Sequence, residues 1–521
     1  MAKRSLEARE CISSRSDYHH LDVFRARRPV ETWCTMDDRP EPALIVDGGN
    51  FEYGPLSSRD LWFLLTRISA IFEMRLAVNV GYRDISQLRI RDESDWTRQR
   101  ALGIKPRTIL PSIPVPLEEM ARASFFSHYV HGFSTTYDVL ALIGRRSTLD
   151  PHLAASVDAV SLAFFSFQYD APPALKAAQE KYLCALPLVK QAIGAHEFLA
   201  SNSTLLAVLF LDLFEKIINR GPISAESWMS HVRGAMALLK LRHPAQLNTY
   251  IGLRLSVRLF TNMLISCVAA DTLIPAALTK LHSDLQPHVN QADPKWQVSG
   301  LVMKYANLRG STKKELLSPS EILKQAKELD GEFSSLAKDL PQSWISQKVT
   351  VQKSAPGVLE QYYEVYPDHF TAQTCNVIRM MRILLNNLIR LSYLNIVSVQ
   401  DNLERHVLNV SFASHIIDTM AKQICATGPQ FAGVSEHLKR PSSSSPVRRL
   451  HCYTLLFPFY VAAVSARTES GVREWVIQRL RSMATDLEIR NAALVAEMLE
   501  NRDGADPWSV YAILGSYAFA A

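Results

Sequence analysis

Residues 223–244, ISAESWMSHVRGAMALLKLRHP, carry the pattern on which the fold is read. Ser224 suits a helix start, because its hydroxyl can accept a hydrogen bond from a first-turn amide. Trp228, Val232, Ala235, Met236 and Leu239 then recur at helical spacing along one face. Pro244 has no amide proton and biases His243 away from helix, so the element is expected to stop there. Gly234 sits in mid-helix, where glycine costs about 1 kcal/mol against alanine. That cost predicts the close approach of another backbone at Gly234. Physics alone reads the stretch as a packed helix.

Working outward, helical patterning dominates from Leu117 onward. Phe125, Phe126, Tyr129 and Val130 form an aromatic face, and Asp150-Pro151 reads as an N-cap followed by proline at the first helical position. Helices are expected from 150 through 165, over 176–193 and over 203–218. The last is apolar nearly all round, and a helix without a polar face is buried within a larger array. Downstream come a helix through 258–270, a loop over 282–297, and a capping box with proline at N1 in Ser318-Pro319-Ser320-Glu321. Residues 373–393 place Ile378, Met381, Leu385 and Leu388 in a stripe that reads as core, with Ser392 breaking it. Residues 441–446, PSSSSP, form a low-complexity surface insert between Lys439-Arg440 and Arg448-Arg449. Residues 469–501 close the array with amphipathic helices carrying Trp475, Ile477, Leu480 and Leu487. Brief turns place successive helices antiparallel. The expected fold is therefore all-α, a multi-helix array of antiparallel helices over 117–515. Residues 1–116 are expected to be an irregular arm and linker, apart from a hairpin near 45–53.

At 521 residues the chain exceeds a usual single core. A hydrophobic fraction of 47% with 21% charged residues is that of a folded protein. The net charge of +6 is mild for this length, and no concentrated basic stripe marks a nucleic-acid-binding domain. Seven cysteines (Cys11, Cys34, Cys184, Cys267, Cys375, Cys425 and Cys452) lie far apart and make no C-x-x-C pair. Reduced thiols in an intracellular compartment are expected. Residues 204–218 contain Asp212 and Glu215, and 259–278 contain Asn262, Asp271 and Pro275; neither reads as a membrane span.

Motifs for a nucleophile elbow, a zinc protease helix or a phosphate-binding loop are absent. His128 and His131 share a helix face, as two ligands of one metal would, but no third ligand stands near them. His231 reads as a buried hydrogen-bonding residue rather than a base, since no carboxylate lies three or four residues away. No catalytic, cofactor-binding or metal-binding residue is assigned.

The spacing Trp228, His231, Gly234, Ala235, Leu238, Leu239, Arg242 resembles the W-x-x-H-x-x-G-A-x-x-L-L-x-x-R signature of a helical region in fungal transcription factors. Further landmarks fall in the same order. They are Tyr182 and Ala185-Leu186, Thr204-Leu205 to Phe214-Glu215, Ala326 with Leu329-Asp330, and Leu340-Pro341 with Trp344. Asn376 with Arg379, Pro458-Phe459-Tyr460-Val461-Ala462 and Arg473-Glu474-Trp475 follow. The resemblance implies structural roles for Trp228, His231, Gly234, Ala235, Leu239 and Arg242. It also implies transcriptional regulation in a fungal nucleus, for instance of a secondary-metabolite gene cluster.

In that family six cysteines near the N-terminus hold two zinc ions and contact DNA. Residues 1–100 here contain Cys11 and Cys34 alone, too few thiolates for that cluster. Either the module was lost, giving a co-regulator, or the product starts downstream of it. Protein partners, among them a DNA-binding transcription factor, and a small-molecule effector are expected, with DNA contacted only indirectly or weakly and no membrane. Two alternatives stay open: a helical scaffold protein outside transcription, and a cryptic helical enzyme of a biosynthetic pathway. Convergent titratable residues in a deep pocket would distinguish the enzyme.

Overall fold

The computed structural model describes residues 115–144, 149–195, 201–218, 234, 237–238, 244–351, 357–397, 403–433, 445–502 and 504–514. All of them fall in one compact unit spanning residues 56–521. They form an all-α array with a single two-stranded hairpin among the described residues. The expected hairpin near 45–53, the proline-rich stretch up to residue 114 and the start of the 223–244 helix lie outside the described residues.

The array begins with α1 (Leu117–Ser124), which runs into a π-helical segment (Phe125–His131) and a 3₁₀ turn (Thr135–Asp138). Next come α2 (Val139–Gly144), α3 (Pro151–Tyr169), α4 (Pro172–Gly194) and α5 (Asn202–Ile218). Pro151 starts α3, but the Asp150 side chain makes no capping bond. Helix α5 buries residues on every side, as its unbroken apolar pattern requires. Helix α6 (Tyr250–Ala269) is capped by Thr249, whose hydroxyl accepts from the Gly252 amide at 3.1 Å. It packs on α5, on α7 (Ala276–Leu285) and on α8 (Pro294–Lys313).

The expected loop over 282–297 is mostly helical: α7 and a 3₁₀ turn fill its first half, and α8 opens at Pro294. The reason is local. Asp293 accepts from the Lys295 amide at 3.0 Å, with proline at the first helical position.

Helix α9 (Pro319–Lys338) opens with the capping box read from the sequence, Ser318 and Glu321 bonding each other's backbone amides. The hairpin of β1 (Gln347–Thr350) and β2 (Tyr362–Val365) follows, antiparallel, with Lys348 opposite Glu364. Its Val, Thr and Tyr residues favour strand, a signal that the helical pattern around it masks. Helices α10 (His369–Val397) and α11 (Leu403–Ala432) then pair along their length and carry β2. Ile378, Met381 and Leu385 are buried there, so the stripe is core, while the end of the pair exposes Leu391, Leu394, Val407, Leu408 and Phe412.

Last come α12 (Pro446–Tyr453), α13 (Leu456–Ser465), α14 (Val472–Asp486), α15 (Arg490–Glu500) and α16 (Pro507–Leu514). Helix α13 is enclosed along nearly its whole length, with Pro458-Phe459-Tyr460-Val461-Ala462 all buried.

Gly234 corrects the expectation of a close backbone approach. It is exposed, and an added Cβ would meet nothing within 4 Å. Crowding falls on other glycines: a Cβ at Gly252 on α6 would collide with the Gln246 carbonyl oxygen, and one at Gly310 on α8 would lie 3.0 Å from the backbone of Thr272 and Leu273. Gly234→Ala should raise stability by about 0.5–1 kcal/mol through helix propensity, and Gly310→Ala should lower it by about 1–3 kcal/mol through overpacking. Urea unfolding of the two variants checks both signs.

Candidate functional site

Several landmark residues lie at helix contacts, while Leu186, Pro341 and Glu474 are exposed. Tyr182 on α4 stacks on Phe214 of α5, with ring centroids 4.3 Å apart, and donates its hydroxyl hydrogen to Glu215. Ala326 and Leu329 on α9 are buried, and Asp330 beside them accepts from Arg382 of α10 at 2.9 Å. Asn376 donates to Thr427 of α11 at 3.0 Å. Arg379, one turn on, donates to Asn376 at 3.2 Å and to Glu364 of β2 at 2.7 Å. Trp475 of α14 stands edge-on to Phe459 of α13. Of the signature itself, Leu238 is buried and Gly234 exposed; Trp228, His231, Ala235, Leu239 and Arg242 lie outside the described residues.

A second feature is a group of inward cations on α6. Arg254 and Arg258 stand one turn apart on the same side of the helix. Arg254 meets Asp138 of the 3₁₀ turn at 3.4 Å, and Asp138 also accepts from Tyr250 at 3.1 Å. Arg258 lies with its guanidinium carbon 5.1 Å over the Tyr137 ring. It is only 4% exposed, it makes no ion pair, and its Nε and Nη1 have no hydrogen-bond acceptor. Tyr137 stands close enough to couple with it, but its hydroxyl, like that of Ser134, makes no aligned hydrogen bond. Asp212 of α5 also couples to Arg258, yet its carboxylate is held by Lys216 at 2.7 Å and Asn262 at 2.9 Å.

Lys295, in the first turn of α8, completes the group. Its surface is accessible, with protein atoms crowded around it. Its ammonium sits 5.5 Å over the Phe370 ring. Burial and the neighbouring Arg258 and Arg254 push its pKa down to about 8, against the pull of Asp293.

Next along α10, His369 donates through Nε2 to the Phe133 carbonyl at 3.1 Å and stacks on His451, centroids 4.2 Å apart. Burial first, and then repulsion from His451, lower its pKa to about 4.

These groups converge from separate parts of the chain, and the sequence offered little to find them. The aromatic run at 125–130 reads as ordinary helix, whereas its π-helical turn, a form common at functional sites, carries Tyr129 to Phe125, Tyr137 and Phe164. The same turn separates His128 from His131: the former bonds Ser124 at 3.2 Å and the latter lies against Phe126. Among the described residues no group of three His, Cys, Asp or Glu side chains is placed to hold a metal. The one periodicity cue was a pair of arginines four apart in an apolar helix. Chemically the cluster offers positive charge, N–H donors and aromatic faces, while its carboxylates are already engaged. Such a set suits an anion.

Comparison of the chain with protein-family models, with curated proteins and with solved structures finds no match in any of the three.

The His369 geometry carries a pH dependence. Its folded pKa lies below the ordinary 6.5, so between pH 6.5 and about 4 the unfolded chain takes up a proton that the folded chain refuses. Its contribution is whole above pH 6.5 and is lost as pH falls through that window. His369→Gln keeps an N–H donor without titrating. Its melting temperature should fall less than that of the unaltered chain from pH 7 to pH 4.5, measured by calorimetry.

Proposed function

We propose that the chain is a transcriptional regulator or co-regulator of fungal type. In this reading it is pathway-specific and acts in the nucleus through its helical region. The observation that carries the reading is that landmarks from successive helices meet. Tyr182 reaches Phe214 and Glu215, and Phe459 reaches Trp475. Asn376 and Arg379 bond each other and tie β2 to α10 and α11. Scattered similarities have no reason to pair in this way, whereas residues that specify one packing arrangement do.

The regulator works through partners in this reading. The first 100 residues hold two cysteines, and the net charge is +6, so base reading is assigned to a DNA-binding protein on which this chain docks. The cation cluster on α6 is the candidate place for an effector. Against an enzyme stands the commitment of its carboxylates, Asp138 to Arg254 and Tyr250 and Asp212 to Lys216 and Asn262.

Chromatin immunoprecipitation of the tagged chain from its native cells, paired with transcript profiling of a deletion strain, tests the reading. Enrichment at a limited set of promoters whose transcripts change is expected. The purified chain should bind duplex DNA without discrimination, with Kd on the order of 10⁻⁴–10⁻⁶ M and a steep loss as salt rises. Exclusion from the nucleus with unchanged transcripts would overturn it.

A further inference from the structure

We propose that the groove between α8 and α9 binds a small organic monocation with an apolar body, an alkylammonium or arylalkylammonium. The inference is independent of the transcriptional reading and of the cation cluster on α6. It rests on one cavity and on the side chains that line it.

The cavity follows from how the two helices are held. Helix α9 packs chiefly on α10, where Ala326 and Leu329 are buried and Asp330 meets Arg382 at 2.9 Å. Helix α8 divides its contacts among α6, α9 and α10, and Gly310 lets it lie against the turn at 272–273. Between α8 and α9 a groove of about 330 Å³ is left, at the lower end of the range for small-molecule sites.

One face of each helix lines the groove. Lys304, Leu308 and Ser311 of α8 recur at helical spacing on one side, and Gln325, Glu328 and Glu332 of α9 do so on the other. Leu308 and Leu329 are 3% and 4% exposed and give the groove an apolar floor. Leu317, from the turn that joins the helices, adds a third apolar side chain.

The charges select the sign of the ligand. Lys304 and Glu332 pair across the groove at 2.5 Å and cancel. Among the described residues Glu328 meets no cation, so the lining keeps one negative charge. A monoanion would be repelled there, and a dication would exceed the charge available.

The neighbouring polar groups suit an ammonium. Such a group has three N–H donors and no acceptor, so it needs oxygen atoms around it. Glu328 supplies a carboxylate, Gln325 one turn away a side-chain carbonyl, and Ser311 on the facing helix a hydroxyl. The Asn307 carbonyl oxygen is already taken by the Ile274 amide at 2.9 Å. With the ammonium at Glu328, the apolar body lies on the three leucines. Because Glu328 is exposed, water screens its attraction, and the affinity is of millimolar order, about 1 mM.

The test is calorimetric titration of the full chain with hexylammonium and phenethylammonium chloride, up to about 10 mM, tenfold above such a Kd. Hexanol is the neutral control, hexanoate the anionic one, and potassium chloride at matched ionic strength the control for charge alone. Saturable binding is expected with at least one amine and with none of the three controls.

Glu328→Gln should weaken the amine about threefold to tenfold, the effect of losing one charged hydrogen-bond partner. Lys304→Met releases Glu332 from its pair and should tighten binding. Glu497→Gln, an acid outside the groove on α15, should leave it unchanged. All three side chains are exposed, so the variants keep the fold. No saturable amine binding, equal binding of hexanol or hexanoate, no effect of Glu328→Gln, or weaker binding in Lys304→Met would overturn the proposal. Its failure would leave the promoter experiment and the landmark contacts untouched.

Discussion

Helix α6 must bury an apolar length and two guanidinium groups at once, and the array around it follows from that requirement. By length and composition Tyr250–Ala269 is apolar enough to cross a membrane, yet 72% of its most apolar window is buried inside the protein. Helices α5, α7, α8 and α16 supply the cover, and the 3₁₀ turn at 135–138 closes the side where the arginines emerge. Arg254 finds Asp138 there, and Arg258 finds only phenol rings. Moving either arginine outward would require turning the helix and exposing Leu255, Leu259 and Phe260, which are at most 2% exposed. Each such side chain stabilises the fold by about 1.5–3 kcal/mol when fully buried. Hydrophobic burial therefore outweighs the charge, and the charge stays inside.

Away from α6 two groups of buried polar side chains meet one another. Arg379, Glu364, Tyr366 and Asn376 form one bonded group that ties the hairpin to α10 and α11, and Arg382 meets Asp330. The buried thiols of Cys425 and Cys452 are pushed up by desolvation and act as small core residues. Arg258 is not alone in lacking an acid: Arg448 and Arg479 are met by the carbonyls of Phe431 and Gly433.

Much of the helical architecture was legible because its signals are local. The Ser318 capping box, proline at the first turn of α3 and the unbroken apolar run of α5 each specify their element within a few residues. Errors arose where a local cue was passed over or where the cause is distant. Asp293-Pro294 carries the same start signal as Asp150-Pro151 and opens α8 inside a stretch read as loop. Gly234 is open to solvent, while backbone crowds helices at Gly252, through the turn at Gln246, and at Gly310, through the turn at 272–273. The site was the least legible part. Arg258, Lys295, Tyr137 and His369 are spread over more than 230 residues, and the π-helical turn that shapes their wall has no recognised sequence pattern.

Arg258 either stabilises the fold or is carried inside by the apolar face of α6 at a cost. A cation of the first kind is missed when it is removed; one of the second kind is a burden to the chain. The unfolding free energy of Arg258→Met, measured by urea titration without added anions, separates the two most directly. Methionine keeps much of the apolar stem and removes the charge. The account predicts stability equal to that of the unaltered chain or higher by about 1–4 kcal/mol, and a loss of about 3 kcal/mol or more would contradict it.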